Sequence, residues 1–527
     1  MTTGMTVMAT DFEVEELYDL PEGCAAGAVT AEGVVCGMSE LPGGWLVTWG
    51  DRVRGPFHGI LGYRDDETFF WSADGCHRAF IAVNGDDQFV VRDDTVEGPF
   101  EGTSGSVRLV FSDDGRHLAY GVKVGDGYQL RVDGEVRSAG AELAAIQPVF
   151  SPDGERLAWA EMREAGRGRE TRVVVDGEPG PWVPGLRNAR GALRFSPDSR
   201  RFAYYRLEGG GHARWVLDGR EQQVVNDVHP IGLAQMRGVG VLDPPLMAAF
   251  SPDSRRFAYW ADVLEKGVAV VEDGVAGPIL ERAGAPVFSS DSRRLAYAGR
   301  AFDKRAGLVV DGSLSDRLPI VAQGLPTFSP DDRRVALSVE TEEGGLLRKR
   351  HHHAMLVDGQ LLGAREGSDG SMRPTWSADS RHVCWWMQSR PNEVWALRDG
   401  EATGPLAGLW GEPVFMSAGR LVYAAGTAAG ASVFIDGQAG PICNAVTYAE
   451  PPGVPREEGM PVPMFRLSPD SAHVAWAGLF GSRQRPVLDG CVGPAFDIVV
   501  GSRFDPDGTA RWWAQRGTTV CVVSARP

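Results

Sequence analysis

Short apolar runs, each closed by a polar turn, recur along this chain at nearly regular spacing. The clearest copy is Phe195-Ser196-Pro197-Asp198-Ser199-Arg200-Arg201-Phe202-Ala203-Tyr204. Near-copies begin at Phe111, Phe150, Phe250, Phe288 and Phe328, and looser ones at Trp71, Trp376, Leu467 and Phe504. After a variable gap comes an apolar triplet and Asp-Gly, as in Val173-Val174-Val175-Asp176-Gly177. Gly-Pro often follows, as at Gly180-Pro181, Gly277-Pro278 and Gly440-Pro441. With two weaker copies near Thr30 and Met416 there are about twelve units and a period of about 43 residues, within the range of four-stranded propeller blades.

Each unit reads as an antiparallel meander. The aromatic before Ser-Pro-Asp ends a first strand. The turn then follows from its residues: proline presets φ, and Asp accepts from nearby backbone N–H groups. The second strand, Arg201-Phe202-Ala203-Tyr204 in this copy, suits a pleated surface. The third carries the apolar triplet, and Asp-Gly is a hairpin-turn signal. A fourth, outer strand is expected from Gly-Pro onward, because an edge strand has N–H groups to spare. One meander cannot bury both of its faces, so units must stack side by side around an axis. The predicted fold class is all-β, a β-propeller with almost no helix.

The pattern Phe-Ser-Pro-Asp-Gly/Ser-Arg-Arg-Leu-Ala-Tyr resembles the WD40-like (PD40-type) repeats of TolB-type β-propellers, from near Ala28 to the C-terminus. The resemblance implies a fold and names no reaction. The Ser-x-Asp-x-Gly-x-x-Trp turn of sialidase-type propellers fits less well, because Gly or Ser here follows Asp directly. TolB itself is periplasmic. The stretch from Met1 to Leu20 has no basic-then-apolar leader pattern, so a cytoplasmic location is expected instead.

Twelve blades would make a wide ring, so two propellers are expected. The simplest division is 1–275, about six blades with roughly the first ten residues disordered, and 276–527, about six more. The two long connections, 222–246 and 442–464, bracket five units. A five-bladed ring over about 247–441 inserted in a seven-bladed one therefore competes, as does a single large ring. The last unit stops after its third strand, Val520-Cys521-Val522-Val523, whereas Leu17-Tyr18-Asp19 stands where an outer strand would. The N-terminal strand should complete the last blade.

The chain has 527 residues and a net charge of −17, which argues against nucleic acid or an anionic membrane as partner. No run has the length of a membrane span. The seven cysteines form no Cys-x-x-Cys and are odd in number, which suits a reducing compartment, a disulfide among them being the alternative.

The sharpest local anomaly is Arg348-Lys349-Arg350-His351-His352-His353, a basic island read as a loop and as a binding surface for an acidic segment. A plain solvated loop is the blander reading. Adjacent histidines on an extended chain point to alternate sides, so a shared metal is disfavoured. The recurring Asp153, Asp198, Asp253, Asp331 and Asp470 are read as turn formers rather than a carboxylate ring for a cation. The Arg-Arg pairs at Arg200, Arg255, Arg293 and Arg333 are read as strand-end groups bonding neighbouring turns rather than as phosphate binders. The sequence contains no nucleophile elbow, zinc helix motif, phosphate loop or dinucleotide fingerprint. No cofactor or metal is expected. The leading reading is a non-enzymatic scaffold for an unknown protein or peptide, bound through the end where the second-to-third-strand connections vary. A carbohydrate-active or other hydrolytic propeller with acidic groups in its channel is the alternative.

Overall fold

The computed structural model describes residues 11–61, 70–103, 109–139, 142–143, 148–166, 168–184, 193–208, 212–226, 248–262, 267–315, 318, 320–345, 348–367, 369–370, 374–447 and 465–527. Residues 1–10, expected to be disordered, and most of both long connections lie outside these. Among the described residues the strands form twelve antiparallel sheets and no α-helix. Each sheet is a four-stranded meander, numbered here as blades 1 to 12 in chain order. Their first strands begin at Ala28, Gly59, Gly102, Glu142, Leu193, Ala248, Arg282, Ile320, Asp369, Gly408, Ala445 and Ile498. Blade 12 takes its fourth strand from Phe12–Asp19, which pairs with Thr519–Ala525 so that Phe12 faces Ala525 and Asp19 faces Thr519. The N-terminal strand completes the last blade, as the leftover strand in the sequence implied.

The chain forms two compact units. One comprises Met1–His58 with Gly363–Pro527; the other is Gly59–Leu362. The first holds blades 1, 9, 10, 11 and 12. The second holds blades 2 to 8, apart from the last residues of the outer strand of blade 8, Gln360–Glu366.

Within each unit the apolar faces are buried between consecutive blades. Ala296, Ala298 and Leu308 of blade 7 pack with Val335, Leu337 and Leu356 of blade 8. Blades 10 and 11 meet through Val422, Val433, Phe465 and Trp476. The recurring small residue of the second strand (Ala119, Ala158, Ala203, Ala258, Ala296, Ala475) has no exposure, because a neighbouring sheet lies directly on it. The recurrent aromatic beside it is also buried, as at Tyr120, Tyr259, Tyr297, Tyr423 and Trp476.

Two expectations need correcting. The fourth strand does not start at Gly-Pro. It starts directly after Asp-Gly, as in Val275–Ala276, because Asp273 (φ 47°) and Gly274 (φ 85°) reverse the chain in two residues. The basic island is not a loop: Arg348–Val357 is the third strand of blade 8 and pairs along its length with Val335–Gly345.

Candidate functional site

The two ends of the blades are chemically unlike. At one end lie the Ser-Pro-Asp and Asp-Gly turns. In blade 5, Ser196 Oγ donates to Asp198 Oδ1 (2.6 Å) and accepts from Arg201 N (2.9 Å), and Asp198 Oδ1 also accepts from Arg200 N (3.1 Å). Ser199 takes φ 64° to close the turn. Asp153, Asp253 and Asp470 hold the same bonds in their own blades, and Asp331 accepts from Ser329 Oγ and Arg333 N. The serine hydroxyl first, then the backbone N–H, holds the carboxyls of Asp153, Asp198, Asp253 and Asp470 below their ordinary range.

These turns are tied to one another. Asp198 N donates to Ser254 Oγ of the next blade (2.9 Å), and Asp153 N likewise to Ser199 Oγ (3.0 Å). The second arginine of each pair spans the gap. Arg201 Nε donates to Asp218 Oδ2 of its own blade (2.9 Å) and Nη1 to the Arg255 carbonyl of the next (2.9 Å), while its guanidinium covers the Phe250 ring. Arg156 and Arg294 repeat this arrangement. The first arginine is exposed, Arg293 with 85% of its side chain accessible. Blades 2, 3, 9 and 11 use histidine instead. His77, His117, His382 and His473 each bond the first aspartate of the turn after their own third strand at 2.6–2.8 Å, an Asp-Asp turn in blade 2 and Asp-Gly in the others. The sequence signal was present, since these histidines align with the second arginine, but only the arginine pairs stood out.

At the other end, two blades of the Gly59–Leu362 unit carry extended second-to-third-strand hairpins. In blade 4, Leu157–Ala165 and Gly168–Val175 place Glu161 opposite Arg172, Arg163 opposite Glu170 and Glu164 opposite Arg169. All three are ion pairs, at 2.6, 2.6 and 2.8 Å. Burial pushes the Glu161 carboxyl up, but bonds from Ser138, Arg172 and Trp159 outweigh it and hold the carboxyl below its ordinary value. Trp182, an outlier from the repeat register, lies under the Arg163 and Arg172 guanidiniums at 4.2 and 4.5 Å.

Blade 8 repeats the design with different residues. Its register sets Glu340 opposite His353, Glu342 opposite His351 and Glu343 opposite Arg350, while Lys349 and Arg348 face Gly344 and Gly345. His351 Nδ1 contacts Glu340. Arg350 and His351 are exposed, and His352 and His353 half-buried. The six basic residues are thus brought onto one strand, whose register sets acidic residues opposite His353, His351 and Arg350 and Thr341 opposite His352.

The cysteines are all free. Burial pushes the Cys443 thiol up to about 11 and raises Cys384 and Cys521, which suits inert core residues rather than nucleophiles. Among the described residues no cluster of three or more His, Cys, Asp or Glu is arranged to hold a metal ion. No helix there is long and apolar enough to cross a membrane.

The fold defines the chain as a β-propeller repeat protein. No family model and no curated protein matches it. Solved structures similar in fold include one described as the eukaryotic initiation factor, at 11% identity over 67% of this chain and 89% of that one, TM-score 0.31. TolB from Acinetobacter baumannii aligns at 14% identity over 62% and 78%, TM-score 0.21. The β-propeller domain of the Trilobed protease from Pyrococcus furiosus aligns at 13% identity over 65% and 93%, TM-score 0.25. The repeat itself resembles the TolB-like, WD40-like kind.

Proposed function

We propose that this protein is a non-enzymatic scaffold that binds a protein or peptide through the end carrying the variable hairpins. The observation supporting this is the asymmetry between blade ends. At the turn end Arg201, Arg156 and Arg294 are committed to neighbouring blades, and the arginine before the bridging one, as at Arg293, stands exposed beside a turn aspartate. At the hairpin end, the register of blade 8 sets Arg348 and Lys349 opposite uncharged glycines in an otherwise acidic protein. Arginine pairs with carboxylates through two parallel bonds, so an acidic segment is the matching partner. A cytoplasmic protein is the accompanying reading, supported by free cysteines of which five are buried.

The test replaces Arg348, Lys349 and Arg350 by Ser and compares the proteins co-purified at low and moderate salt. Loss of a salt-sensitive partner by this variant, and not by Arg200→Ser at the turn end, is the expected result. An unchanged partner set with unchanged salt dependence would return the island to a solvated hairpin.

A further inference from the structure

We infer that the hairpin end also carries an apolar anchor point at Phe302 and Ile279, fitted to an acidic segment that bears one bulky apolar side chain. This rests on the reading of that end as a binding surface and narrows the partner's chemistry.

Phe302 is 58% exposed and Ile279 is 44% exposed. Phe302 sits in the turn between the second and third strands of blade 7, Leu295–Arg300 and Ala306–Val310. Its ring reaches over blade 6 and covers Gly267. A Cβ there would meet the tip of the Phe302 ring at 2.8 Å and run into the Leu280 carbonyl, so the ring tip rests against bare backbone. Ile279 directly precedes Leu280, whose backbone bonds Val268 in both directions at 2.8 Å. Phe302 and Ile279 thus stand beside the same Gly267–Leu280 backbone, two exposed apolar side chains that make one apolar step.

The charge around this step is reversed relative to the protein as a whole. Along the chain Ile279 and Phe302 are flanked within three residues by Arg282, Arg300, Lys304 and Arg305, against Glu281 and Asp303. Both carboxylates are engaged locally. Glu281 takes Lys304 and Arg300 (3.4 Å), and Asp303 Oδ1 accepts from Arg305 N (3.1 Å). Blade 7 packs against blade 8 through a shared core, so the basic hairpin Arg348–Val357 rises from the adjacent blade at the same end. An exposed aromatic inside a cationic surround selects for a partner that supplies carboxylates and an apolar group together.

The test uses the full chain and two labelled peptides of Glu and Ser, one with a central Phe and one with Ser in its place. Fluorescence anisotropy should show the Phe peptide binding about tenfold more tightly, the worth of burying one such side chain partway. Phe302→Ser, and separately Ile279→Ser, should remove that preference while leaving the Ser peptide's affinity unchanged. Both sites are exposed, and an unchanged melting temperature confirms that the variants fold. Replacing Arg348, Lys349 and Arg350 by Ser should weaken both peptides alike. Should that triple change do nothing while Phe302→Ser still removes the preference, the anchor stands and the hairpin reading fails. Equal affinity of the two peptides for the unmodified protein, or a preference that survives Phe302→Ser, overturns the anchor alone. Self-association of the chain that Phe302→Ser abolishes would make a second copy the occupant and also overturn it.

Discussion

Ser196 shows how much one residue of the repeat carries. It has no exposure, and its hydroxyl both donates and accepts within the turn. Ser196→Ala leaves Arg201 N without its side-chain acceptor, so stability measured by urea unfolding should fall by about 1–3 kcal/mol. Equal stability would mean that water replaces the hydroxyl. The turn aspartates add a pH dependence of definite sign. Native bonds hold the carboxyls of Asp153, Asp198, Asp253, Asp291, Asp379 and Asp470 below their ordinary values. Such groups contribute stability above the unfolded value, about pH 4, and lose it as pH falls through the folded value. The melting temperature should therefore drop increasingly steeply below about pH 4. Ser196→Ala removes the leading cause of the Asp198 shift, so its deficit relative to the unmodified protein should narrow in acid. A deficit that stays constant down to unfolding would separate the serine from the aspartate.

The strand order, the number of sheets and the turns between strands were legible in the sequence, because each blade repeats one local solution with one set of turn residues. The outer strands were misread, although a signal lay in plain view. Where two residues separate Asp-Gly from Gly-Pro, as in Val275–Ala276, Gln438–Ala439 and Cys491–Val492, the outer strand is two residues long. Where three do, as before Gly404, the strand runs through the proline over Glu401–Leu406. The basic island was misread for a different reason. Clustered charged residues suggest a solvated loop until opposite charges are matched across the turn, as Glu161 to Arg172 and Glu343 to Arg350 are. Cross-strand pairs then stabilise a strand that apolar alternation does not mark. The rungs of the blade 4 ladder are unequal. Glu161 is buried, so Arg172→Ala strands its carboxylate and should cost about 3–5 kcal/mol in urea unfolding. Arg169 and Glu164 are both more than half exposed, and Arg169→Ala should change stability by less than about 0.5 kcal/mol. Comparable losses for the two variants would contradict the difference in burial.

At the scale of the whole chain, the joining of its two ends in blade 12 dominates. Phe12 lies 5.9 Å from Trp512 between ring centres, and Tyr18 packs with Trp513, Val520 and Val522. Deleting residues 1–19 uncovers this core and turns Thr519–Ala525 into an open edge, a template for pairing with other chains. Amide hydrogen exchange should rise sharply across Ile498–Phe504, Ala510–Arg516 and Thr519–Ala525, and the protein should self-associate. Unchanged exchange there would show that the N-terminal strand is dispensable. The same pairing sets an order in time. On the ribosome Phe12–Asp19 is made long before its partner Thr519–Ala525, and all of Gly59–Leu362 emerges between them. The early strand must wait unpaired, and Glu13, Glu15 and Glu16 keep it hydrated and repelled from other acidic segments meanwhile. Blade 12 thus closes only on a chain translated through Thr519–Ala525. A product broken off before Thr519 displays Phe12 and Tyr18 to the solvent, a surface mark by which chaperones and proteases can tell unfinished copies from finished ones.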